Sequence, residues 1–303
     1  MKKIIKIALL ILLVSASSFA QQQAQYTQNQ FNSNLMINPA YAGANECASV
    51  GLRLREQWVG LDGAPATLGL ISEFKLIDRL FAGICLNYDK IGIYKTFSVD
   101  GNIAYHVKVN EKGKLALGLK FGASFINSDY SKLQNISPSD PLYHTSANFT
   151  IPYVGAGVLY YTDKFYLGAS APTLVSFENT ATRGKVNVEH YYLYGGVRVK
   201  LDDDFELRPA LLTKYQPLAP IEFDLATEVW YKKMFGVGVS YRTGDAVNCM
   251  LKVKYNQYYF GYSYDIPISE LRNYNYGSHE IFIGIEFCPK KPAEDASKNI
   301  RYF

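Results

Sequence analysis

Residues 115–125 decide the fold class, and they read Leu115-Ala116-Leu117-Gly118-Leu119-Lys120-Phe121-Gly122-Ala123-Ser124-Phe125. Every second residue from Leu115 onward is apolar, and the residues between them are small or polar. This period of two indicates a β-strand, because successive side chains of a strand point to opposite faces. About fourteen such segments follow one another between Cys47 and Cys288. The sequence therefore predicts an all-β protein.

The predicted strands lie at residues 48–57, 66–75, 79–89, 95–107, 114–128, 150–161, 164–171, 190–201, 204–215, 221–231, 234–242, 246–255, 257–265 and 279–287. Odd-numbered connections are long, at residues 58–65, 90–94, 131–149, 172–189, 216–220, 243–245 and 266–278. Even-numbered connections are mostly tight turns, such as residues 162–163, 202–203 and 232–233. Outer-membrane barrels keep short turns in the periplasm and longer loops outside, with an even strand number. The sequence thus predicts a transmembrane up-and-down antiparallel β-barrel of about 14 strands; a secreted β-sandwich or a β-repeat protein is the alternative.

Charged side chains fall on the face opposite the apolar one. They are Arg53, Arg55, Asp100, His106, Arg198, Lys200, Glu206, Arg208, Glu222, Asp224, Glu228, Lys252, Lys254, Glu280 and Glu286. A barrel lumen can pair charges of both signs, although a solvated sheet face would also carry them. Aromatic residues make up 15% of the chain, with 25 tyrosines, and many stand at segment ends, as girdles at both membrane interfaces require.

The chain divides into four predicted regions. Residues 1–20 have the basic start, apolar core and small-residue end of a secretory signal peptide. Residues 21–46 form a polar N-terminal segment, residues 47–288 the outer-membrane barrel, and residues 289–303 a charged periplasmic tail. Removal of three leader lysines lowers the basic residues from 31 to 28, against 27 acidic ones, so nothing indicates a nucleic-acid partner.

The N-terminal segment has two predicted locations. Eight strands can fill a barrel with side chains, whereas sixteen or more leave a channel, so about fourteen strands enclose water or a plug. Residues 21–46 could fold into the lumen as that plug, or hang in the periplasm and contact a partner. The sequence leaves both open.

Four cysteines in an exported chain allow three disulfide pairings. In a closed barrel the first and last strands are neighbours, which brings Cys47 close to Cys288 at the periplasmic rim. We therefore predict a Cys47–Cys288 disulfide, with two free thiols as the alternative. Cys85 and Cys249 fall within strands and are interpreted as small packing residues.

Signals for catalysis are weak. The four histidines are scattered without metal-ligand spacing, and the sequence has no G-x-S-x-G nucleophile motif. A barrel-wall esterase with a Ser/His pair is the alternative, because its residues need not be adjacent in the chain. We predict a protein that is not an enzyme and has no cofactor or metal site.

Two patches and one short motif contain more closely spaced glycine, proline, aromatic and polar residues than the strands and turns of a barrel require. The motif is Asn38-Pro39-Ala40-Tyr41-Ala42-Gly43; the patches span residues 55–67 and 262–281. Together they resemble the PorP/SprF family of outer-membrane proteins associated with type IX secretion. The resemblance covers the chain from about Gln25 to the last strand. The matching positions are Gln28, Asn38, Pro39, Ala40, Tyr41, Ala42, Gly43, Arg55, Gln57, Trp58, Gly60, Gly63, Ala64, Pro65, Thr67, Tyr262, Ser263, Tyr264, Asp265, Ser269, Gly277, Ser278, His279 and Glu280.

The resemblance implies a non-enzymatic barrel in the outer membrane that helps to export or anchor a type IX cargo. Its partners would be a large gliding adhesin or another protein with a C-terminal sorting domain, periplasmic ring and motor components, and outer-membrane lipid. The partner-binding candidates are Asn38, Pro39, Tyr41, Gly43, Arg55, Gln57, Trp58, Gly60, Gly63, Pro65, Asp265, Ser269, Gly277, Ser278 and His279. The alternative functions are a diffusion channel or hydrophobic-solute transporter with an N-terminal hatch, and a soluble or surface-attached β-protein.

Overall fold

The computed structural model describes residues 34–130, 146–177, 189–217 and 219–288. The predicted leader, Gln28, the tail at residues 289–303 and most of the two longest predicted loops lie outside these ranges.

Fourteen antiparallel strands form a single sheet. They are β1 Ala48–Glu56, β2 Ala66–Ile77, β3 Leu80–Ile91, β4 Tyr94–Lys108, β5 Lys114–Asp129, β6 Ser146–Tyr161, β7 Phe165–Ser176, β8 Tyr191–Val197 continued by Val199–Lys200, β9 Phe205–Tyr215, β10 Glu222–Tyr231, β11 Phe235–Arg242, β12 Ala246–Tyr255, β13 Tyr258–Pro267 and β14 Ser278–Phe287. Each strand pairs with the next, and β14 pairs with β1 from Ala48↔Phe287 to Glu56↔His279. The sheet is therefore a closed barrel, which excludes the predicted sandwich and repeat alternatives.

The barrel wall is apolar outside and polar inside. On β5, Leu117, Leu119 and Phe121 are 53–54% exposed, while Ala116 and Lys120 are buried in the interior. The same alternation runs through the other strands, so the large apolar side chains that a water-soluble protein buries are here on the outer surface. An outward apolar band around a polar interior is the surface of a barrel whose solvent is lipid.

The two rims differ in their connections. On one rim the turns are short, as at residues 78–79 and 256–257, and we call it the short-turn rim. The other, the long-loop rim, holds the connections at residues 57–65 and 268–277. The prediction of a long loop at residues 90–94 is wrong, because β3 and β4 extend to a tight turn at Gly92 and Ile93. In outer-membrane barrels the short turns generally lie in the periplasm.

The described part of the N-terminal segment, residues 34–46, lies inside the barrel and is called the luminal segment. It begins with the short helix α1, Asn34–Ile37, and continues as a 3₁₀ turn at Pro39–Tyr41. Asn38 caps this turn by accepting a hydrogen bond from Ala40 N at 2.8 Å, and Pro39 occupies the first position, where no N–H is needed. Of the two predicted locations, residues 34–46 therefore take the luminal one.

Cys47 and Cys288 form a disulfide at the short-turn rim, where β1 begins and β14 ends, with sulfur atoms 2.05 Å apart. Cys85 is buried as predicted, whereas Cys249 is exposed on the outer face of β12, so its interpretation as a packing residue is wrong. No helix among the described residues is long and apolar enough to cross a membrane.

Candidate functional site

The two sequence patches, far apart in the chain, meet at the long-loop rim. Val59 N donates to Gly277 O at 2.8 Å, and Tyr276 N donates to Val59 O at 2.8 Å. Trp58 N also donates to the Ser278 hydroxyl at 3.2 Å. We call residues 57–65 and 268–277 the outer loop pair. Because these hydrogen bonds continue the pairing of β1 with β14, the loop pair stands directly above the barrel seam.

Two glycines explain why the loops approach so closely. Gly60 has φ of +94°, and a Cβ there would lie 2.8 Å from the Tyr276 ring. Gly277 has φ of +88°, and a Cβ there would lie 2.4 Å from Asp265 O. Both the left-handed backbone and the lack of space therefore require glycine. These are two of the positions that sequence analysis singled out.

A buried network of charges supports the loop pair from below. Arg55 contacts Asp265 at 2.6 Å and Glu280 at 3.1 Å, and all three side chains are nearly inaccessible to solvent. Arg242 joins the network through Asp265 at 3.5 Å, and Asn248 donates to the same carboxylate at 2.6 Å. Paired and hydrogen-bonded charges of this kind fix the relative positions of strands, while loss of one member leaves its partner uncompensated. Arg55 and Asp265 thus have a positioning role under the surface.

The remaining candidates at this rim take separate positions. Gln57 N donates to Pro65 O at 2.9 Å and closes the first loop, and Gly63 O accepts from Gly92 N at 2.9 Å. Ser269 precedes a 3₁₀ turn at Glu270–Asn273. His279 lies on the outer wall, where Nδ1 is 2.8 Å from the Tyr262 hydroxyl.

The Asn38–Gly43 motif is at a different place, inside the lumen. Asn38 Nδ2 donates to Val158 O at 3.0 Å and to the Tyr194 hydroxyl at 3.1 Å. Gly43 N donates to the Glu73 carboxylate at 3.0 Å. Tyr41 is buried, with 2% of its surface exposed. These candidates contact the barrel wall, and a partner could reach them only if the segment left the lumen.

The barrel wall is shaped to receive the luminal segment. A Cβ at Gly118 would lie 2.1 Å from Ala40 N, and a Cβ at Gly157 would lie 2.0 Å from Asn38 Oδ1. Lys120 Nζ donates to Met36 O at 3.0 Å. Sequence analysis did not connect these wall residues with the segment, because a glycine or lysine on the luminal face of a strand fits any polar lumen.

A chain of contacts joins the luminal segment to the network under the loops. Met36 Sδ lies 3.9 Å from Arg53 Nη1, and Arg53 contacts Glu280 at 3.5 Å. Glu280 is also the partner of Arg55. The two regions that the sequence motifs mark are therefore linked through Arg53, which sequence analysis named only as a luminal charge.

The closed wall, the outward apolar band and the segment inside the lumen define the class of the protein: it is an outer-membrane β-barrel with an internal segment. Comparison of its sequence with family models then identifies the family. Residues 18–285 match the type IX secretion system membrane protein PorP/SprF, and the chain belongs to this family. No curated protein matches the sequence.

Solved structures with a similar fold include a channel and a transporter. The CymD monoaromatic hydrocarbon channel has 14% identity and a TM-score of 0.52, covering 87% of this chain and 94% of that chain. The Pseudomonas putida toluene transporter TodX has 9% identity and a TM-score of 0.50, covering 90% and 96%. The chain spans only 60% of CdiB from Acinetobacter baumannii, at a TM-score of 0.42. At these identities the likeness concerns the fold alone.

Proposed function

We propose that the protein is a non-enzymatic barrel that assists the secretion or surface anchoring of a type IX cargo by direct contact at the outer loop pair. The cargo would carry a C-terminal sorting domain, as a gliding adhesin does, which would give the protein a role in gliding motility. One observation carries the proposal. The two sequence patches meet on the long-loop rim, and the strands of the barrel do not require the residues of these patches. Membership of the family supports it.

The outer loop pair has the chemistry of a protein-binding surface. Tyr276 and Tyr274 are 77% and 70% exposed, and Leu61 is partly exposed on the facing loop. Tyrosine is enriched in protein interfaces because its ring provides contact area and its hydroxyl a hydrogen bond. Gly60 fixes Tyr276, since the ring packs against the space that a side chain would fill. A partly ordered aromatic surface loses less entropy when it binds.

The proposal also includes the route to the membrane and the inner side of the machine. Residues 1–20 would be cleaved after Ala20, and the mature chain would insert into the outer membrane with its short turns in the periplasm. There the short-turn rim would face periplasmic ring and motor components. Mass spectrometry of the protein purified from membranes tests the cleavage directly: a mature chain beginning at Gln21 is expected.

The test of the cargo contact is a double substitution, Tyr274→Ser with Tyr276→Ser. We expect it to reduce the surface display of a reporter fused to a type IX sorting domain, measured by antibody labelling of whole cells. Tyr255→Ser is the matched control, because Tyr255 is a similarly exposed tyrosine at the short-turn rim. Heat-modifiable migration on a gel shows that each barrel is folded. Normal display by the double variant, in cells where deletion of the protein abolishes display, would refute the loop contact.

A diffusion channel or hydrophobic-solute transporter is the second candidate, favoured by the fold shared with CymD and TodX. Residues 34–46 would then act as its hatch. A steady conductance of the purified, partner-free protein in planar bilayers would favour this function over the first.

A further inference from the structure

A cavity of roughly 330 Å³ opens at the short-turn rim, on the opposite side of the barrel from the outer loop pair. It lies between the turn that joins β2 to β3, the nearby ends of β4, β5 and β6, and Glu46 of the luminal segment. Its volume falls at the lower end of the range found for ligand sites. We call it the rim cavity.

Aromatic rings form its inner wall. The centroids of Phe81 and His106 are 4.9 Å apart, and those of His106 and Tyr161 are 5.7 Å apart. His106 Nε2 lies 2.7 Å from Ala42 O, which only accepts, so Nε2 must carry a proton. The Tyr161 hydroxyl, at 2.7 Å, occupies Nδ1. Both nitrogens of His106 are therefore engaged. Phe81, His106 and Tyr161 are 4–6% exposed, so they present a small part of their surface to the cavity, and that part suits an apolar or aromatic group.

The mouth of the cavity is basic. Four cationic side chains line it, against the acidic Glu46 and Asp78; they are Lys75, Arg79, Lys108 and Lys114. Glu46 pairs with Lys114, and Asp78 is shared by Lys75 at 3.2 Å and Arg79 at 3.8 Å. Among the described residues no ion pair involves Lys108. The cavity therefore combines an aromatic wall with an excess of positive charge at its opening.

We propose that the rim cavity binds a segment of a periplasmic protein that carries an acidic side chain next to an aromatic one. The partner's aromatic ring enters the cavity and lies against the exposed parts of Phe81, His106 and Tyr161, and its carboxylate pairs with Lys108. Lys108 follows His106 on the luminal face of β4, so this cation points away from the surrounding lipid. This orientation favours approach from the aqueous rim, where a periplasmic polypeptide would be, over approach from the lipid-facing wall. The site is independent of the loop contact proposed above, and it rests on the proposed periplasmic orientation of the short-turn rim.

The test uses the full-length protein in detergent and a hexapeptide, Gly-Gly-Phe-Asp-Gly-Gly, with blocked ends and a dye of zero net charge. Binding is followed by fluorescence anisotropy. We expect Lys108→Glu to weaken binding by at least about fivefold, the effect of about 1 kcal/mol in one charge contact. Lys112→Glu is the matched control, because this lysine stands in the turn that follows Lys108 but outside the cavity lining. The affinity of this variant for the peptide should stay within about twofold of that of the unchanged protein.

Three results would overturn the proposal. They are no binding of the peptide at millimolar concentration, equal binding when asparagine replaces the aspartate, or the same peptide affinity in the two lysine variants. Decanoate provides a further arm. If decanoate binds in a Lys108-dependent way and the peptide does not, the site takes a free amphipathic carboxylate and the peptide assignment is wrong. Heat-modifiable migration verifies folding; if Lys108→Glu does not fold, Lys108→Gln replaces it, with an expected loss of about two- to threefold.

Discussion

Enlarging Gly118 should release the luminal segment. In Gly118→Val, the new Cβ would lie 2.1 Å from Ala40 N and 2.4 Å from the Pro39 carbonyl carbon. Non-bonded heavy atoms need about 3.5 Å, so one side must move by more than about 1 Å. β5 is paired along its length with β4 and β6, whereas residues 34–46 are inside the barrel without strand pairing. We therefore expect the segment to move.

The size of the effect follows from the cost of overpacking. Extra carbon atoms inserted into a well-packed site cost about 1–3 kcal/mol. If the segment exchanges between a docked and an undocked state, the undocked fraction should rise about 5- to 150-fold. Openings in planar bilayers should become more frequent by the same factor. Gly101→Val is the matched control, because a Cβ there would have its nearest contact at an ordinary 3.8 Å from Phe121 O.

A second readout separates release from general damage to the barrel. Ala44 is 4% exposed, so a cysteine there should resist a membrane-impermeant maleimide until the segment undocks. The background needs Cys249→Ser, because Cys249 is exposed. If Gly118→Val folds but neither the opening frequency nor the labelling rises above the Gly101→Val control, the inference that the segment is held by this close contact is wrong.

Three further predictions concern the seam. Arg55→Ala should lower the free energy of unfolding in urea by about 3 kcal/mol, the lower end of the range for broken buried pairs, since Arg53 and Arg242 still contact its carboxylates; a loss below about 1 kcal/mol would contradict the network. Cys47→Ser with Cys288→Ser should lower it by about 2–5 kcal/mol in non-reducing buffer, as the disulfide closes a long loop, and an unchanged unfolding midpoint would count against that. Gly60→Val should leave the barrel folded, by heat-modifiable migration, yet reduce reporter display, because it displaces the Tyr276 ring; full display would argue that the loop arrangement is irrelevant.

The strands were predictable because each residue of a barrel wall faces either lipid or lumen, and the sequence records that choice at every second position. The segment at residues 115–125, for example, lies wholly within β5. The disulfide followed from topology, since closure makes the first and last strands neighbours. Interruptions within a strand, which depend on missing backbone N–H donors, were not predictable from the alternation. β8 is interrupted at Arg198, opposite β9 where Pro209 has no N–H to pair.

The luminal segment was not predictable to the same degree. Its residues lack alternation, and its position depends on single contacts with wall residues distant in sequence, such as Lys120 and Glu73. The meeting of the two loop patches was also missed, although it follows from the same closure that predicted the disulfide. Loops of β1 and β14 must be adjacent once their strands are paired.

Because the two loops are adjacent only across the seam, the outer loop pair depends on closure of the barrel. Val59 and Gly277 can form their hydrogen bond only in a barrel whose last strand, β14, has paired with its first, β1. An unfinished barrel, however many strands it has inserted, displays the two loops apart. A partner that contacts both loops at once would therefore bind the closed barrel and not a sheet whose first and last strands are unpaired.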